Sequence, residues 1–97
     1  MKLNVEQPIT DLSNMDIKDQ EGPLTLKRVM LAALLANDQK PASDQEKFRR
    51  YELAKAVNQG GDVTLKAEDV ALIKVRIATV FSTLVMGRAW DMLEGQT

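Results

Sequence analysis

Cysteine and histidine are both absent from the 97 residues. Without thiols there is no disulfide and no thiolate nucleophile, and without imidazole there is no histidine base. A Cys/His zinc site is excluded with them. Aromatic residues are only 4% of the chain, and neither charge sign dominates. Lys plus Arg is 13 against 14 for Asp plus Glu, giving a formal net charge of -1. Bulk charge of that size gives no drive toward nucleic acid or an anionic membrane. Long apolar runs are missing as well. The longest, Val29 to Ala36, is far short of the ~20 residues that span a bilayer. The segment MKLNVEQPIT lacks the apolar stretch of a secretory signal, so the expected location is the cytoplasm.

What is present is ordinary globular composition, 44% hydrophobic and 28% charged, at a length that suits one domain. Residues 1–23 read differently from 24–97. Leu3, Val5 and Ile9 alternate with polar residues, Asp11 to Asn14 supplies turn-forming side chains, and Met15 to Lys18 alternates again. Such patterning predicts a short β-hairpin, with an extended arm as the alternative, and Pro8 confines its strand to an edge. Isolated hairpins are marginal in water, so this one must rest on helices or on a partner.

From Leu24 the signals turn helical. Thr25 caps a first helix reaching about Asn37, followed by the polar connector Asp38 to Ala42. Ser43-Asp44-Gln45-Glu46 has the form of a capping box and opens a second helix that Gly60-Gly61 ends near Gln59. A third is expected over Ala67 to Val80 and a fourth from Thr83 to about Glu94, with Ser82 as its cap. One kinked helix over Ala67 to Glu94 is the alternative. The fold class is therefore mainly α: a short N-terminal hairpin or arm, then three to four packed helices. Gly22 to Lys27 and Gly61 to Lys66 echo each other, a likeness that shared helix-capping chemistry accounts for.

Helical faces carry the functional expectation. At ~100° per residue the third helix shows one apolar stripe of Val70, Ile73, Ile77, Val80 and Phe81. Leu72, Val75 and Thr79 form a second, nearly opposite stripe, with Lys74 and Arg76 between the two. Two stripes need cover on two sides, from the N-terminal segment or from another chain. Leu72, Val75, Thr79 and Arg76 are accordingly the candidate protein-binding residues, for a partner protein or a homo-oligomer. The alternative is a small DNA-binding regulator, in which Lys47, Arg49, Arg50 and Lys55 of the second helix, interleaved with Phe48 and Tyr51, meet phosphates. Against it, Glu46–Arg50 and Glu52–Lys55 sit at pairing distances along the helix.

Chemistry is sparsely provided for. Glu68 and Asp69 are neighbours that diverge on a helix, and Ser43 and Ser82 suit caps. Gly60-Gly61 lacks the rest of a phosphate-binding loop. No catalytic, metal or cofactor residue is expected, and no small-molecule substrate is evident. The order MKLNVEQPITDLSNMDIKD, GPLTLKRVMLAALLA, EKFRRYELAKAVNQGGDVTLKAEDVALIKVRI resembles small, largely uncharacterised phage and prophage proteins of about this length. That resemblance implies a viral accessory protein acting by protein contact in virion assembly or host interference, in the host cytoplasm or associated with the virion.

Overall fold

A computed structural model describes residues 2–37 and 42–95. Four helices appear among them: α1 (Leu26–Leu35), α2 (Asp44–Asn58), α3 (Ala67–Val80) and α4 (Thr83–Leu93). Four short strands accompany them: β1 (Lys2–Asn4), β2 (Lys18–Asp19), β3 (Gly22–Pro23) and β4 (Asp62–Thr64). The mainly helical class with an N-terminal hairpin is as expected. Pro41 and most of the expected connector lie outside the described residues.

The N-terminal segment folds back on itself twice. Asp11 Oδ1 accepts from the Ser13 and Met15 amides, Asn14 takes a left-handed φ of 63°, and Thr10 faces Asp16 across the turn. Asn is among the few non-glycine residues that tolerate this backbone. A second, tighter turn pairs β2 with β3, antiparallel. Between the turns, three backbone hydrogen bonds close a ring: Ile9 N–H to Leu24 O, Leu24 N–H to Ile17 O, and Ile17 N–H to Ile9 O, at 2.7, 2.7 and 3.0 Å. Pro8, which has no N–H to give, faces Thr25 in an isolated bridge.

β1 pairs antiparallel with β4, matching Lys2, Leu3 and Asn4 to Thr64, Val63 and Asp62. The loop before β4 is held to the same arm: the Val5 amide donates to Gly61 O, and Glu6 Oε2 accepts from the Gly61 amide. Alternation buries Leu3, Val5 and Ile9 together with Val63 and Leu65.

The arm also completes α1. The first amides of a helix have no partner within it. Here Leu26 N–H donates to Gln7 O, Lys27 N–H to Val5 O, and Arg28 N–H to Thr25 Oγ1. Buried Leu26, Val29, Met30, Ala33 and Leu34 then place α1 against α2 and α3. The helix is not covered all round, because Ala32 and Leu35 stand exposed.

Ser43 Oγ accepts from the Glu46 amide as expected. The Glu46 carboxylate lies 3.8 Å from Arg50, so the reciprocal half of the capping box gives way to an i,i+4 pair. At α3 it is Asp69 that reaches back, accepting from the Lys66 amide. Phe81 is extended between α3 and α4 (φ -109°, ψ 163°), so these are two helices. Trp90 Nε1 donates to Lys74 O, and Lys74 Nζ lies 4.4 Å from the Trp90 ring centre while pairing with Glu94. No helix of the described residues is long and apolar enough to cross a membrane.

Candidate functional site

The second stripe of α3 divides on folding. Val75 is 61% exposed, and Thr79 is exposed with its hydroxyl donating to Val75 O. Leu72 is half-buried against the core. Arg76 does not belong to that surface at all, being buried with its Nε donating to Ala33 O and its Nη2 to Ala36 O. The cause lies at the C-terminus of α1, whose last carbonyls have no helical partner and no basic residue in their own turn.

Arg50 corrects the basic-helix expectation in the same way. It is buried, and its Nε and Nη2 donate to Leu34 O and Ala36 O. Two arginines from two helices thus converge on one helix end, where cations also meet the negative end of the helix dipole. Arg49 lies 3.3 Å from Asp69 on α3. Of the four cations proposed for DNA, Lys47, Arg49 and Lys55 remain exposed, but Arg49 is paired with Asp69 and Lys55 with Glu52 at 3.3 Å. The proposed nucleic-acid surface loses Arg50 to the fold, and carboxylates neutralise two of the remaining three cations.

Among its charged and polar side chains α2 also presents two aromatic rings outward. Its buried residues are Arg50, Leu53, Ala54 and Val57. On the opposite side Phe48 and Tyr51 stand 61% and 50% exposed, with ring centres 6.0 Å apart and tilted 44°. Lys55 Nζ sits 4.8 Å from the Tyr51 ring centre, within cation–π range. Positions 48, 51 and 55 share one face because their spacings of three and four match the helical turn. The interleaved aromatics were visible in the sequence, but only the burial of Arg50 shows which way that face points.

A separate open hollow of about 460 Å³ lies between the first turn and α4, lined by Leu12, Thr83, Leu84, Gly87, Arg88 and Asp91. Arg88 Nη2 donates to Asp11 O, tying the turn to α4. Among the described residues that line the hollow, Arg88 and Asp91 are the ionisable ones. No group of three or more carboxylates among the described residues is arranged to hold a metal ion. Comparison of the chain with protein-family models, curated proteins and solved structures gives no match.

Proposed function

We propose that this chain is a non-enzymatic protein-interaction module. The observation that carries the reading is the placement of Phe48 and Tyr51. Two of the four aromatic residues are held in water, side by side, in a domain whose core is built from aliphatic side chains. Adjoining exposed aromatics are costly to leave solvated, and aromatic residues are enriched where proteins meet. Val75 and Thr79 on α3 add a second exposed strip. The resemblance of the sequence to small phage and prophage proteins supports a role in virion assembly or host interference, exercised in the host cytoplasm.

Replacing Phe48 with a photoreactive phenylalanine analogue tests this directly. Irradiation in the cells that make the protein is expected to yield adducts with protein, the same chain included. Adducts with nucleic acid alone favour the DNA-binding reading, and absence of any adduct overturns the contact surface.

A further inference from the structure

The exposed face of α2 is complementary to itself when turned end for end. Asp44, Phe48, Tyr51 and Lys55 follow one another at spacings of four, three and four, and all are exposed. At ~100° per residue they fall within about 60° of one another, a single seam. Read from either end, the seam runs charge, aromatic, aromatic, charge, with the sign of the charge reversed. Lys47 and Glu52 flank it on opposite sides.

We infer that α2 binds α2 of a second copy of this chain, antiparallel, about a two-fold axis between Arg49 and Arg50. In that register Phe48 meets Tyr51 of the other copy, and Asp44 meets Lys55, twice each by symmetry. The contact is isologous, so it closes as a dimer and does not propagate. Antiparallel helices also set their dipoles head to tail. A parallel arrangement would instead bring Asp44 onto Asp44 and Lys55 onto Lys55. The two cations that would disturb the seam are held elsewhere, Arg49 by Asp69 and Arg50 by the end of α1.

The proposal rests on the interaction reading above and names its partner. A single helix seam offers less than the roughly 800 Å² per partner of a tight interface. Association is therefore weak and rapid, with a dissociation constant on the order of 100 µM.

The test is sedimentation equilibrium on the purified full chain and two variants, each checked for helicity by circular dichroism. The unaltered protein is expected to dimerise below about 1 mM. Asp44→Lys puts two cations in register and Lys55→Asp two carboxylates, so each variant alone loses at least tenfold in self-affinity. Mixed one to one, they pair every cation with a carboxylate, and a heterodimer returns. Both sites are exposed, so folding is kept; should either variant unfold, Phe48→Ser takes its place and must abolish the dimer. A monomer at 1 mM, or variants that dimerise as before or fail to recombine, overturns the proposal. A monomer that still forms Phe48 photo-adducts with another protein removes the self-pairing and leaves the interaction reading standing.

Discussion

Arg50 and Arg76 serve the fold, and the physical reason is one of acceptors. The carbonyls of Ala33, Leu34 and Ala36 end α1 among packed helices, where water is a poor partner and an unmet carbonyl is expensive. A guanidinium reaches several such oxygens from one planar group, which an ammonium cannot do. Arg50→Ala and Arg76→Ala are each expected to cost about 2–3 kcal/mol in urea unfolding. Because both arginines donate to Ala36 O, either alone still satisfies it, so the double variant should lose more than the sum, and Lys at either position should restore little. The sequence concealed this role. Glu46 and Arg50 at i,i+4 describe a solvated ion pair equally well, and nothing in the linear pattern of α3 separates Arg76 from Lys74. Only the tertiary position of α1 makes the distinction.

Among the elements, the boundaries that sequence reasoning located best are those with local chemical causes. Thr25 and Ser43 bond amides three residues on, and the extended Phe81 separates α3 from α4. The pairing of β1 with β4 had no local cause, since its partners lie sixty residues apart, and hydropathy alternation says only that Leu3 and Val63 need cover. The second turn depends on charge. Arg28, from the first turn of α1, donates to the carbonyls of Gly22 and Pro23 and pairs with Asp19 and Glu21. The Arg28 guanidinium first, then the Glu21 amide, holds the Asp19 carboxyl below the usual carboxylate range. A depressed folded value means the bond favours the folded turn above the unfolded pKa, near ~4. The benefit is lost as pH falls through the lower folded value. Amide exchange of Gly22, corrected for the intrinsic rate, should therefore quicken below pH ~4 in the native protein, and Asp19→Asn should abolish that change.

For the molecule as a whole, the ring formed by Ile9, Leu24 and Ile17 has a mechanical consequence. Three peptide units each lean on the next, and the last returns to the first, so no member can detach while the other two remain fully bonded. Fraying from a free edge, the usual way a small sheet loosens, has no starting point here. The amides of these three residues should accordingly exchange with solvent at one common free energy, in a single opening event, although they lie fifteen positions apart along the chain. Measured by native-state deuterium exchange, a graded series of three values would show the ring to be three separate contacts.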